Sequence, residues 1–220
     1  MKQPRLLEIG GDPPVPEILS LVATHLKAGG LVAMPTETVY GFGCALDEGP
    51  LEGLRKLKGR GGEKPFIILV PDAGAVSDLD WTPKAVELAE VFWPGALTLI
   101  LNDTGHRFPP GIRSPRGTVA VRRSPHPVAK GVLMALGEPI VSTSANPAGG
   151  IPALTAGEAL EAALSLGAGE ELWVLDGGPL EPSEPSTVVD CSGSEPYVVR
   201  PGSIPVNRLR CVLPGLQGPA

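Results

Sequence analysis

Apolar positions recur with helical spacing in some segments of the chain and as continuous runs in others. Between residues 13 and 27 they fall on one helical face and Gly29-Gly30 ends the segment, which predicts an amphipathic helix. The run FIILV at 66–70 has the length and content of a buried strand. The same reasoning predicts helices at 50–58, 83–92, 127–136 and 155–166, and strands at 97–101, 118–122, 140–142, 172–175, 187–189 and 197–199.

Helices and strands therefore alternate over most of the length, whereas the final strands follow one another closely. This order predicts an α/β fold with a twisted, mixed parallel and antiparallel sheet flanked by helices. The chain has 220 residues, of which 42% are hydrophobic, enough for one sizeable core. We predict a single domain over residues 12–208, with flexible ends at 1–11 and 213–220.

Several classes of protein are disfavoured by what the sequence lacks. It has no apolar run of membrane-spanning length and no apolar signal segment near its start, so we expect a cytoplasmic protein with no membrane partner. The cysteines Cys44, Cys191 and Cys211 are widely spaced, which favours buried free thiols. With three histidines in the chain, we predict no zinc or other protein-held metal site.

The stretch 31–43, LVAMPTETVYGFG, changes from a buried strand into a cluster of hydroxyls, a carboxylate and glycines. The segments 118–122 and 142–146, and Arg200 with its following Pro-Gly, repeat this pattern of a strand running into polar groups. The net charge is −6, yet lysines and arginines are concentrated in 55–64 and 107–130. If the polar ends of these strands converge with the basic segments, they line a large basic cavity suited to polyphosphate and carboxylate ligands.

The sequence has no GxxxxGK[ST] loop, no GxGxxG after a strand, no GxSxG and no HExxH. Phosphoryl or nucleotidyl transfer needs no protein nucleophile, because positioning and charge stabilisation supply most of the acceleration. Simpler structural roles stay open for single residues: Thr36 and Thr38 as turn formers, Tyr40 as a core edge residue, and His126 as a helix cap.

Seven motifs occur together in this chain: PTETVYGFG, KGR followed by KPFIILV, FWPGALTLIL, TVAVRRSPHP, STSAN, STVVD and VVRPGSI. In order and approximate spacing they resemble the YrdC-like threonylcarbamoyl-AMP synthases over roughly residues 18–204. The resemblance implies the short form of that family, without the extra carboxy-terminal domain of longer members. It also implies a YrdC-like fold, a single α/β domain with a mixed sheet around a basic cavity.

The implied reaction joins L-threonine, bicarbonate and ATP into threonylcarbamoyl-AMP and pyrophosphate, with Mg²⁺ arriving on the ATP. The product would pass to tRNA threonylcarbamoyl transferase proteins that modify the adenosine next to the anticodon. By resemblance, the threonine-binding residues are Thr36, Arg122 and Ser142. The ATP-binding residues are Arg60, Lys64, Thr118, Ser144, Asn146 and Arg200, and the catalytic residues are Lys58 and Arg60.

The chain departs from the family pattern at four positions. Lys64 replaces an amide, Leu69 replaces a histidine, Pro152 replaces a serine and Pro185 replaces a glutamate. These changes leave the predicted arginine and lysine clamps in place and alter the surroundings of the substrates. A paralogue with altered activity therefore stays open.

Two alternatives to the synthase also remain. The first is a non-catalytic YrdC-like module that binds tRNA or ribosomal RNA through its basic face. The second is the carbamoyl-adenylate chemistry of hydrogenase maturation, in which the same domain belongs to a much larger chain.

Overall fold

The structure is a computed structural model that describes residues 3–59 and 66–219. The predicted site residues Arg60 and Lys64 lie outside the described residues. The described strands are β1 (Arg5–Glu8), β2 (Leu31–Pro35), β3 (Tyr40–Cys44), β4 (Ile67–Leu69), β5 (Leu97–Asn102), β6 (Thr118–Arg122), β7 (Ile140–Ser144), β8 (Leu172–Asp176), β9 (Thr187–Asp190) and β10 (Tyr197–Arg200). The described helices are α1 (Pro16–Lys27), α2 (Glu48–Lys58), α3 (Pro83–Phe92), α4 (Pro127–Leu136), α5 (Ala156–Ser165) and α6 (Val206–Val212).

All of these strands join one sheet, in the order β1-β8-β2-β3-β7-β4-β6-β5-β9-β10. The pairs β1–β8, β2–β8, β4–β6 and β5–β9 are parallel, whereas β2–β3, β3–β7, β4–β7, β5–β6 and β9–β10 are antiparallel. The α/β architecture with a mixed sheet is therefore confirmed.

One face of the sheet carries the larger hydrophobic cluster. Because side chains alternate between the faces of a strand, every second residue points into it, as Tyr40 and Phe42 do on β3. Helices α2, α3, α5 and α6 cover this face with their apolar sides, for example through Leu54 of α2. Full burial of a leucine of this kind stabilises the fold by about 1.5–3 kcal/mol.

The opposite face is divided into two regions. Helices α1 and α4 pack on each other and on β2, where Val22 and Leu26 of α1 meet Val128 and Val132 of α4. The other region of this face bears small, apolar and polar side chains on β3, β4, β5, β6 and β7, and there the candidate site opens.

Local signals place several helix ends as the sequence predicted. The Thr155 hydroxyl accepts a hydrogen bond from the Glu158 backbone N–H, and the Glu158 carboxylate accepts one from Thr155, which completes a capping box at α5. His126 caps α4, because its Nδ1 accepts from the Val128 N–H at 3.2 Å. Gly137 ends α4 with φ 79°, a left-handed conformation that favours glycine.

Parts of the ends predicted to be flexible, 1–11 and 213–220, form regular structure among the described residues. Residues Arg5–Glu8 add a parallel edge strand beside β8, and Leu216 is buried while Gln217 pairs with Tyr197. The prediction of buried thiols is wrong for Cys211, which is exposed on α6. Within 3–59 and 66–219, no helix combines the length and apolar character needed to cross a membrane.

Candidate functional site

A cavity of about 420 Å³ lies on the region of the sheet face that α1 and α4 leave uncovered. Its described wall is formed by side chains on one face of successive strands, together with the 36–39 turn and loop residues from 152 and 185–186. The described lining residues are Thr36, Thr38, Val39, Gly41, Ile67, Thr98, Ile100, Ala120, Arg122, Ser142, Thr143, Ser144, Pro152, Pro185, Ser186, Val188, Val199 and Arg200. The cavity therefore combines an apolar floor with two guanidinium groups and several hydroxyls.

Glycines allow the floor to lie deep within the sheet. A Cβ at Gly41 would lie 2.9 Å from Ser142 Oγ and 3.0 Å from the Thr143 carbonyl oxygen. A Cβ at Gly43 would lie 2.8 Å from the Val141 carbonyl oxygen. Glycine inside a strand costs stability and marks a place where another group approaches closely. On β3 that group is β7, whose serines thereby reach the cavity.

Arg122 ends β6 and is 6% exposed. Its Nη1 donates a hydrogen bond to Thr38 Oγ1 at 3.2 Å and lies 3.6 Å from Glu37 Oε1. Burial lowers the pKa of Arg122, and the Glu37 carboxylate opposes that shift. Arginine keeps its charge in proteins, so the guanidinium presents a buried positive charge at the cavity wall.

Arg200 ends β10 across the cavity from the 36–39 turn. Its Nη2 donates to the Ser186 carbonyl oxygen at 2.7 Å and to Ser186 Oγ at 3.2 Å. Burial lowers the pKa of Arg200, and the positive charge of Arg122 lowers it further. The two guanidinium groups are thus close enough to repel each other, and an anion in the cavity relieves that repulsion.

The 36–39 turn joins β2 to β3 and is held by its own hydroxyls. Thr36 Oγ1 donates to the Val39 carbonyl oxygen at 2.8 Å and lies 3.2 Å from Thr38 Oγ1. The structural role considered for these threonines is therefore present, and both also line the cavity. Tyr40 is buried and its hydroxyl donates to the Gly178 carbonyl oxygen at 2.7 Å.

Lys58, at the end of α2, is 3% exposed and binds the chain where β7 ends. Its Nζ donates to the Ser144 carbonyl oxygen at 2.9 Å and to Asn146 Oδ1 at 3.0 Å, and also contacts the Asn146 carbonyl oxygen. Asn146 in turn accepts a hydrogen bond from Ser144 Oγ at 2.5 Å and donates to the Gly150 carbonyl oxygen. We call Lys58, Ser144 and Asn146 the β7 corner.

The structure brings some of the sequence-predicted site residues together at the cavity wall and leaves others away from it. Those at the wall are Thr36, Arg122, Ser142, Ser144 and Arg200. Among the described residues, Lys58 and Asn146 support the wall from the β7 corner rather than line it. Thr118 starts β6, and its hydroxyl pairs with Ser114 Oγ at 2.7 Å outside the lining set. The individual roles of these residues stay predictions.

Of the four positions that depart from the family pattern, Lys64 lies outside the described residues, and the other three divide between core and cavity. Leu69 is fully buried in the cluster beneath α1 and α4, in register with Arg122 on β6 and Ile140 on β7. Pro152 and Pro185 both line the cavity. These two prolines add apolar surface without an N–H donor to the wall, and Pro185 in place of a glutamate also removes a negative charge.

Sequence reasoning missed one polar contact within the cavity wall. Thr98 is fully buried on β5, and its Oγ1 lies 2.8 Å from Ser186 Oγ. A hydroxyl inside the apolar run LTLIL was the available signal, because a buried hydroxyl needs a partner. Sequence reasoning also gave Glu37 only a general place in the pocket wall, and its specific contacts with Arg122 depend on the fold.

A family model and individual relatives both match most of this chain. The Sua5/YciO/YrdC family model, described as telomere recombination, matches residues 24–202. The chain is 34% identical over 198 residues to the threonylcarbamoyl-AMP synthase of Bacillus subtilis, covering 89% of this chain and 56% of that protein. It is 37% identical over 195 residues to a putative threonylcarbamoyl-AMP synthase of Mycobacterium tuberculosis, covering 86% of this chain and 85% of that protein.

Among solved structures, Pyrococcus abyssi Sua5 complexed with L-threonine superposes with a TM-score of 0.89 at 30% identity, covering 97% of this chain and 62% of that one. The open-faced mixed sheet with its arginine-lined cavity thus defines an α/β protein of the Sua5/YrdC fold. The chain belongs to the Sua5/YciO/YrdC family. It spans between half and two thirds of the length of the Bacillus subtilis and Pyrococcus abyssi relatives.

Proposed function

We propose that the protein is an L-threonylcarbamoyladenylate synthase, a nucleotidyltransferase that makes threonylcarbamoyl-AMP and pyrophosphate from L-threonine, bicarbonate and ATP. The observation that carries this proposal is the gathering of Thr36, Arg122, Ser142, Ser144 and Arg200 around one cavity. Relatives named threonylcarbamoyl-AMP synthase and the threonine complex of a structural neighbour support it.

The chemistry follows from the charges at the wall. The Arg122 guanidinium binds the threonine carboxylate, which leaves the amino group free to combine with bicarbonate, forming a carbamate and releasing water. A carbamate oxygen then attacks the α-phosphorus of ATP, the bond from that phosphorus to the bridging oxygen breaks, and pyrophosphate leaves. Arg200 offsets the negative charge that develops on the phosphates.

Mg²⁺ enters this scheme as part of the Mg–ATP substrate. The described lining residues contribute hydroxyls and guanidinium groups but no carboxylate. We therefore assign the ligands of the ion to phosphate oxygens and water. The product would then be consumed by transferase proteins that carry the threonylcarbamoyl group to tRNA.

The test is an assay of purified protein with ATP, L-threonine and ¹³C-bicarbonate. Pyrophosphate release and a ¹³C-labelled threonylcarbamoyl-AMP detected by mass spectrometry are expected only with all three substrates present. Arg122→Lys keeps the charge but loses the forked geometry, so kcat/KM for threonine should fall by roughly 30-fold or more. Arg116→Lys, at an exposed position, is the matched control and should keep wild-type rates.

If the folded wild-type protein releases no pyrophosphate with the complete mixture, the proposal fails. Salt-sensitive RNA binding without nucleotide turnover would then favour the binding-module alternative.

A further inference from the structure

Glu37 lies in the 36–39 turn between two residues that line the cavity. Thr36 and Thr38 face the cavity, whereas Glu37 is absent from its described lining and lies beside Arg122. Its Oε1 is 3.6 Å from Arg122 Nη1, and its Oε2 accepts a hydrogen bond from Ser124 Oγ at 2.5 Å. The carboxylate therefore contacts the arginine from outside the substrate space.

Two atoms in this contact lack hydrogen-bond partners. Among the described residues, Arg122 Nε and Glu37 Oε1 are buried side-chain atoms with no hydrogen bond. Arg122 Nη1, by contrast, is engaged by Thr38 Oγ1. A buried donor left unpaired costs about 1–3 kcal/mol, so Arg122 keeps this orientation only because its other contacts hold it there.

The guanidinium group is planar and rigid. Because Thr38 and Glu37 both engage Nη1, they limit the directions in which the planar guanidinium group can point. Without a charge beside Nη1, the side chain of Arg122 gains rotamers that move the guanidinium group from its place at the cavity wall and expose the buried Nε–H to water.

We propose that Glu37 is a positioning residue that holds Arg122 by its Nη1, so that the guanidinium group stays in place at the cavity wall for the substrate carboxylate. The identity of that substrate rests on the proposed function. Glu37 acts through Arg122 and does not itself touch the substrate.

The position of Glu37 is fixed in turn by the segment that precedes α4. Ser124, which is 4% exposed, donates to Glu37 and accepts a hydrogen bond from the His126 backbone N–H at 3.2 Å. The carboxylate is thus attached to the first turn of a helix buried against α1. This attachment limits the freedom of Glu37 and therefore of Arg122.

Glu37→Gln tests the proposal, because it keeps the size of the side chain and removes its charge. The KM for L-threonine should rise about tenfold or more, while the KM for ATP at saturating threonine should change less than twofold. Glu37→Asp, which retains the charge, should recover part of the loss. Glu161→Gln, an exposed glutamate on α5, controls for loss of one negative charge and should match the wild type.

A second measurement does not depend on catalysis. The ¹H–¹⁵N signal of Arg122 Nε–H, assigned by its loss in Arg122→Lys, should exchange with water at least tenfold faster in Glu37→Gln than in the wild type. An unchanged exchange rate together with equal rises in both KM values would overturn the positioning role. If the wild type has no synthase activity, the proposed function fails while the exchange rate still decides the role of Glu37.

Discussion

Because β3 and β7 approach closely at Gly41, we expect one added methyl group there to lower both the stability of the fold and the affinity for threonine. In Gly41→Ala, the new Cβ would lie 2.9 Å from Ser142 Oγ and 3.0 Å from the Thr143 carbonyl oxygen. The serine oxygen is able to rotate away, whereas the carbonyl belongs to the paired backbone of β7. The strand itself must therefore move by a few tenths of an ångström.

Overpacking of a tightly packed interior costs about 1–3 kcal/mol. For a domain of this size, each 1 kcal/mol lowers the melting temperature by roughly 2–4 °C, so we expect a decrease of about 2–12 °C. Gly41 and Ser142 both line the cavity, so the same change displaces a predicted threonine contact. The KM for threonine should rise together with the loss of stability.

The assay is thermal unfolding combined with steady-state kinetics. The double variant Gly41→Ala/Ser142→Ala removes the contact with Oγ and should regain part of the stability but not the threonine affinity. Gly53→Ala is the control, because its Cβ meets only Leu31 Cδ2 at 4.0 Å and alanine favours the α2 helix by about 0.5–1 kcal/mol. A Gly41→Ala protein as stable as the wild type, with an unchanged KM for threonine, would refute the reasoning.

Three further predictions concern other parts of the molecule. Lys58→Met should lower the free energy of unfolding, measured by urea denaturation, by roughly 1–3 kcal/mol for each buried acceptor that loses its donor. Unchanged stability would exclude the role of Lys58 in the β7 corner. Burial raises the pKa of Cys44 and of Cys191 to about 12, whereas Cys211 is exposed. At pH 8 a thiol reagent should therefore modify Cys211 alone. Rapid reaction of a second thiol in the folded protein would contradict the prediction. Burial lowers the pKa of His126 below its usual 6.5, so its contribution to stability is present above pH 6.5 and is lost as the pH falls through the lowered value. The variant His126→Asn retains a capping group and should reduce this pH dependence of stability. An identical pH profile in the variant would contradict the prediction.

The fold was largely predictable because its hydrophobic pattern is regular. The apolar face of α1 and the alternation within β6 each specify an element and the side it buries. The short strand Arg5–Glu8 was missed, because its residues are mostly exposed and only pairing with β8 makes it a strand. The 31–43 stretch was treated as one feature, although its polar centre is the turn of a β2–β3 hairpin.

The site was predictable in its components but not in their contacts. Arg122 and Ser142 were singled out as polar residues near strand ends, but they meet on one face of the sheet, because β6 and β7 run in opposite directions on either side of β4. The hydrogen bonds of Lys58 to Ser144 and Asn146 depend on how α2 packs against the opposite face. Likewise, the link from Glu37 to Ser124 spans 87 residues of sequence and exists only through the fold.

The central claim is that one cavity on the open sheet face binds the amino acid and the nucleotide together. A crystal structure with L-threonine and a non-hydrolysable ATP analogue tests it most directly. We expect the threonine carboxylate within hydrogen-bond distance of Arg122 and the phosphates beside Arg200, with the amino group directed toward the α-phosphorus. Threonine or nucleotide bound elsewhere, such as in the separate groove lined by Trp81 and Trp93, with this cavity empty, would contradict the account.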